Sequence, residues 1–310
     1  TTWARVEKDQ FEAVSAFQKR ELASMAAGSD FTFYPLSGPD VLYATRFFPD
    51  AKVFAFAGLE PVGGLRKPES YKLEKLDQEL HAWSNAISSI FHRSFFVTGE
   101  MARQFRGQVA DGILPIILLL LSRSGYHIEG VRYGHLDAGG VFIGEPEDGA
   151  IPVHHQGVEV RFRRESESAG RRLFYFSTDL GQAFETNPSF SNFLHRLGTP
   201  NTLVKSASFL LHYKKCSSLR QYILENSNLI LQDDTGIPYG YFRSPGWQVQ
   251  LFGQYSRPDR PFRSQFQRDL ADAFLVPENV KPLGFSLGYG YRRRSSSMIL
   301  ARAHPDGRPP

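Results

Sequence analysis

The sequence predicts an α/β fold, a mixed sheet flanked by helices with β-hairpins added, and three observations carry that prediction. Apolar runs of strand length alternate with amphipathic stretches of helix length through most of the 310 residues. Phe31 to Gly64, FTFYPLSGPDVLYATRFFPDAKVFAFAGLEPVGG, reads as a strand, a Ser-Gly-Pro-Asp turn, a short helix and a second strand that ends in an acid. Glu60 stands 22 residues after Gly38, a spacing at which nucleotide-binding βαβ units place an acid.

Residues 2–27 have helical spacing, with Trp3, Val6, Phe11, Val14 and Phe17 as the apolar stripe, and Gly28-Ser29-Asp30 ends that helix. Residues 31–64 then form a Rossmann-like opening unit. Pro39 suits the first helical position, where its missing N–H costs nothing, and Asp40 sits beside the positive helix end. Lys52 to Ala57 is the second strand. A loop from Pro61 to Pro68 leads to a long helix at 69–93 and shorter ones near 98–106 and 110–123.

Tyr126 to Asp137 reads as a strand, and Val158–Phe162 with Leu173–Ser177 as a hairpin. Helices are expected at 188–197, 202–213, 217–226 and 265–274, with strands at 229–232 and 247–255. Leu283 to Ala303 resembles a second hairpin that turns at Arg292–Ser297. No long flexible linker interrupts the chain, so a single domain over 1–303 is expected, with 304–310 as a disordered tail.

Composition narrows the function. Hydrophobic residues make up 41% and charged residues 22%, as in ordinary folded chains, and the 26 phenylalanines are expected mainly in the core. The net charge of +4 is dispersed, and its local clusters (Arg161 to Arg164, Arg171-Arg172, Arg292 to Arg294) fall at strand ends. With no recognisable nucleic-acid module beside them, nucleic-acid binding is not expected. The single Cys216 excludes an internal disulfide, although Lys214 and Lys215 beside it could lower its pKa. The longest apolar run, Ile113 to Leu121, falls short of a membrane span.

Candidate chemistry gathers at strand ends. If the strands are parallel, Ser37, Gly38, Asp40, Glu60, Asp179, Asp233 and Asp234 share the rim where open α/β sheets bind ligands. Ser37 or Asp40 equally suits a helix cap, and Glu60 suits either a ribose diol or a loop cap. His135 and Asp137 project to one face of a strand and, with Asp233 or Asp234, are weak candidates for a metal. Asp-Thr-Gly at Asp234 occurs once, so it reads as a turn rather than half of a protease dyad. No G-x-S-x-G, Walker lysine loop or H-E-x-x-H is present.

The layout of residues 31–64 resembles the class I S-adenosylmethionine-dependent methyltransferases, with SGPD standing where that family has a glycine-rich turn. FYPLSGPD, GLEPVG, YFSTDL and QDDTGIP together resemble a family of uncharacterised bacterial proteins, some of them exported. The second resemblance spans more of the chain and brings no activity. It implies a binding or envelope-associated role with a small-molecule ligand. With the start at Thr1 it points to a periplasmic or secreted protein, a cytoplasmic one remaining open. The first implies the alternative, a divergent S-adenosylmethionine- or nucleotide-dependent transferase with S-adenosylmethionine as its cofactor.

Overall fold

The structure, a computed structural model, describes residues 2–65, 112–145, 157–181, 183–186, 188–293 and 296–304. Five strands run parallel at the centre of its sheet: β1 (Phe31–Pro35), β2 (Val53–Gly58), β6 (Arg171–Ser177), β7 (Asn201–Val204) and β8 (Leu229–Gln232). Their sequences are near-continuous apolar runs because both faces are covered, as parallel sheets require. Alternation divides β1 and β2 between two cores. Tyr34, Phe54 and Phe56 face one, and Phe31, Phe33, Ala55 and Ala57 face the other.

The first core is closed by α1 (2–26), α2 (Val41–Phe47) and α3 (Leu114–Arg123). The N-terminal helix contains two π-helical turns, Glu7–Phe11 and Gln18–Leu22, and still buries Phe11, Val14 and Phe17. The second core is closed by α4 (Pro188–Leu197), α5 (Ser217–Asn226) and α6 (Arg268–Phe274).

Among the described residues, eleven strands join in the order β10-β9-β11-β8-β7-β1-β2-β6-β5-β3-β4. The chain builds outward from β1 through β2 to β6, then returns to the other side of β1 with β7 and β8. Between β2 and β6 it inserts β3 (Tyr126–Leu136), β4 (Phe142–Gly144) and β5 (Gly157–Arg164), an antiparallel extension of one edge. The other edge holds β9 (Trp247–Gly253), β10 (Val280–Lys281) and β11 (Ser297–Ala303), with β11 antiparallel between β8 and β9.

Three expectations are corrected. Residues 202–213 are not a helix: Asn201–Val204 pairs with both β1 and β8, and left-handed Ser206, Ser208 and Phe209 break any helix beyond it. Residues 283–303 are not a hairpin. Gly288–Arg293 is a 3₁₀ turn, and β11 takes its partners from β8 and β9 rather than from the segment before it. Pro39 lies outside its helix, which starts at Val41 with Asp40 as the cap.

The expected helices at 69–93 and 98–106, and the tail beyond 304, lie outside the described residues. Among the described residues no helix is long and apolar enough to cross a membrane.

Phe17 is 1% exposed and meets Phe47, Phe252 and Phe285 edge-on, joining α1 to α2 and the sheet. Phe17→Ala should therefore lower stability by about 3–5 kcal/mol in chemical denaturation. A loss below about 1 kcal/mol would show that α1 is not part of the cooperative core.

Candidate functional site

β1 must turn sharply at its carboxyl end, and it does so through two left-handed residues, Leu36 (φ 58°) and Gly38 (φ 52°). The loop after β7 does the same with Ser206 (φ 56°), Ser208 (φ 52°) and Phe209 (φ 59°). Left-handed backbone costs a side-chain-bearing residue roughly 1–2 kcal/mol. Among the described residues the four non-glycine cases are Leu36, Ser206, Ser208 and Phe209, all on the two loops flanking the line where the chain reverses direction through the sheet. Concentrated strain of this kind makes the two loops a candidate site.

Between these loops lies a cleft of about 410 Å³. Tyr34, Ser37, Gly38 and Asp40 line it from the β1 side, Gly58 and Glu60 from the end of β2, and Lys205, Ser206 and Ser208 from the β7 loop. Phe262 and Tyr289 close the outer side. Their rings meet at 4.8 Å, and the Tyr289 hydroxyl is 2.7 Å from that of Ser208. The size and the mix of rings with a few polar groups suit a small ligand.

An ion pair forms the floor. The Lys205 ammonium is 2.8 Å from Asp40 Oδ2, with side chains 1% and 3% exposed. Asp40 also accepts a hydrogen bond from the Tyr34 hydroxyl (2.9 Å) and one from the Tyr43 N–H (3.4 Å), so it caps α2. The Lys205 ammonium stands 4.3 Å from the Tyr43 ring centre. Burial, with the Asp40 carboxylate next to it, raises the Tyr34 phenol well above its ordinary range.

Asp233, buried beside the cleft, accepts from the Ser206 N–H (2.8 Å) and from both the N–H and the hydroxyl of Thr235 (3.0 and 2.6 Å). Gly288 (φ 62°) is required next to it, because a Cβ there would stand 2.5 Å from Asp233 Oδ2. Burial pushes the Asp233 carboxyl up against the opposing pull of these hydrogen bonds. Asp234 is pushed up to about 7, by burial first and by the Asp233 charge second.

The parallel directions bring Ser37, Gly38, Asp40 and Glu60 together, and the cleft contains all four. Asp233 and Asp234 follow β8 at the same end of the sheet but serve the loops there. Asp179 follows β6 and holds its own turn by accepting from the Gly181 N–H at 2.9 Å. His135 is exposed opposite Ile143 in the β3–β4 hairpin, and Asp137 accepts from the Val141 N–H at 2.7 Å to close that turn. Four strands (β5, β6, β2 and β1) separate β3 from β7 and β8 in the sheet, so His135 and Asp137 do not meet Asp233 or Asp234. Among the described residues no three His, Cys, Asp or Glu side chains gather to hold a metal.

The Cys216 thiol is buried, and burial raises its pKa despite the pull of Lys215; the lysines do not activate it. Lys205, Tyr34, Ser206, Ser208 and Tyr289 were missed by sequence reasoning. The one signal for Lys205 was a charge directly after the apolar run NTLV, hidden once that stretch was read as a helix.

A larger depression of about 940 Å³ lies beside α6, next to His212, Tyr241, Phe266 and Arg268. It is more open to solvent; several of its polar groups are engaged locally, while the buried His212 Nε2 has no hydrogen-bond partner. Gln267 binds the Tyr239 N–H and the Asp234 carbonyl, and Arg268 approaches Asp272. The smaller cleft at the chain reversal is therefore the better site despite its size. None of the protein-family models, curated proteins or solved structures compared with this chain matches it.

Lys205→Met should cost about 3–5 kcal/mol because it leaves Asp40 buried without its cation. Adding Asp40→Asn should recover part of that loss, and strict additivity in a denaturation cycle would contradict a coupled pair. The raised Asp234 sets a pH window. A carboxyl that holds its proton more tightly when folded stabilises most below its unfolded pKa, and that contribution is lost as pH rises from about 4 to about 7. Melting curves of Asp234→Asn between these limits should fall less steeply than those of the wild type; parallel curves would assign the titration elsewhere.

Proposed function

We propose that this chain binds a small, hydroxyl-bearing ligand at the reversal cleft of a Rossmann-like sheet. One observation carries the reading: the cleft is lined by three of the four strained non-glycine residues described, Leu36, Ser206 and Ser208, and includes Ser37 and Ser206, whose buried hydroxyl oxygens have no hydrogen-bond partner. Orphaned buried hydroxyls are rare because each costs about 1–3 kcal/mol, and a ligand's polar groups would satisfy them.

The strand order supports the architecture. Counting β1, β2, β6, β7 and β8 as the first five strands gives 3-2-1-4-5, the order of doubly wound nucleotide-binding sheets, whose ligands lie at the chain reversal. Glu60 follows the second strand, where an acid accepts hydrogen bonds from a ribose diol. The Tyr175 hydroxyl holds its backbone carbonyl at 2.8 Å and approaches its carboxylate at 3.4 Å. Phe262 and Tyr289 offer apolar surface to a ring. An envelope-associated setting for this binding rests on the motif resemblance alone.

A transferase using S-adenosylmethionine is the second reading. It is favoured by Glu60 just after β2, the place where the class I methyltransferases that residues 31–64 resemble carry an acid. Against it stands the β1 turn, where Asp40 caps the helix in place of a glycine-rich cradle.

Calorimetry with adenosine, S-adenosylmethionine, S-adenosylhomocysteine and simple sugars tests both. Saturable binding that weakens at least about tenfold (~1.4 kcal/mol) in Glu60→Ala is expected. No heat and no thermal shift with any of them at millimolar concentration would overturn the binding reading. Methyl transfer from S-adenosylmethionine to an acceptor would promote the second.

A further inference from the structure

Among the described residues, Lys205 is the only cation lining the reversal cleft. It is already matched: Asp40 lies 2.8 Å away, both side chains are nearly sealed from water, and the Tyr43 ring covers the ammonium. Phosphate sites in sheets of this order need what is missing here. They use free N–H groups at a helix start and an uncompensated positive charge. The α2 start is instead capped by the Asp40 carboxylate, and Pro39 removes another N–H from the turn. The remaining polar side chains around the cleft are the hydroxyls of Tyr34, which donates to Asp40, of Ser37, Ser206, Ser208 and Tyr289, and the carboxylate of Glu60.

We infer that the Lys205–Asp40 pair is a specificity determinant that fits the cleft to unphosphorylated, hydroxyl-bearing ligands and turns away their phosphorylated counterparts. The inference rests on the reading of the cleft as a binding site. A phosphate placed over the β1 turn would meet two carboxylates, Asp40 and Glu60. To reach Lys205 it would have to displace Asp40 from a pair that has no water to replace it. A neutral hydroxyl faces no such obstacle and can use the unpartnered Ser37 and Ser206 oxygens.

Matched ligands that differ only in a phosphate provide the test: adenosine against adenosine 5′-monophosphate, and ribose against ribose 5-phosphate, each titrated into the wild-type chain. The unphosphorylated member of at least one pair should bind, about tenfold or more tightly than its partner. In Asp40→Asn, which removes one of the two carboxylates from the path of the phosphate, the gap should narrow or reverse. In Lys205→Met, which keeps the acid, phosphate should still be rejected.

Equal or tighter binding of the phosphorylated members by the wild type would overturn the inference and leave the binding site standing. No binding of either member of either pair would overturn both. A gap unchanged in folded Asp40→Asn, or phosphate binding gained in Lys205→Met, would remove the pair from the role. Circular dichroism identifies a variant that fails to fold, and the wild-type comparison decides the selectivity without any variant.

Discussion

Lys205 and Asp40 face each other across the line where the chain changes direction through its sheet, and neither is exposed to solvent enough to be hydrated. Removing two charges from water is costly, and their attraction offsets that cost only when geometry and further hydrogen bonds are favourable. Those conditions dictate much of the surrounding structure. Asp40 reaches the pair because Leu36 and Gly38 take left-handed conformations that bring the chain back over the end of β1. Lys205 is held in place because Ser206, also left-handed, donates its N–H to Asp233 beyond β8. Tyr34 from β1 and Tyr43 from α2 complete the shell. One ion pair thus ties together three parallel strands and the helix that follows the first of them.

The strain around that pair is concentrated rather than spread. Leu36 and Phe209 are bulky residues in a region that sterics disfavour, and they persist because buried neighbours over-determine them. Phe209 is wholly buried, against His212 on one side and Phe262 on the other. The same loops present the unpartnered hydroxyls of Ser37 and Ser206. A fold selected only for stability would remove both penalties, since an alanine at either serine would lose no hydrogen bond made by the side chain. Under the proposed binding a ligand supplies the missing partner, so strain and orphaned hydroxyls point in the same direction.

How much of this was legible in the sequence follows from whether the interactions are local. β1, α2 and β2 could be read because their apolar runs and turn residues act within a few positions, and α5 and β8 for the same reason. β7 could not. It has only four residues, and the leucines and serines after it imitate a helical stripe, whereas its strand character comes from pairing with β1 and β8. The misplaced β7 concealed Lys205, and without Lys205 the role of Asp40 stayed divided between cap and ligand contact. β11 failed likewise, since its partners lie some fifty to seventy positions earlier in the chain. The rim acids were found, but their sorting into cleft-lining (Asp40, Glu60) and turn-holding (Asp179) needed the third dimension.

Asp40 also separates two properties that nucleotide-binding sheets usually combine. The parallel order of the central strands requires apolar runs covered on both faces, and nothing in that requirement involves the turn after β1. Anion binding depends on that turn alone, through its free N–H groups and the positive end of a helix. Pro39 and Asp40 in that turn leave the first property intact and do not serve the second, because the Asp40 carboxylate itself accepts from the Tyr43 N–H. Once there, the carboxylate is buried and needs a cation, and Lys205 at the start of the β7 loop is positioned to supply it. The acid and its cation therefore come as a unit. The sheet places a cleft at its reversal point, and the charge on its floor is internal to the protein.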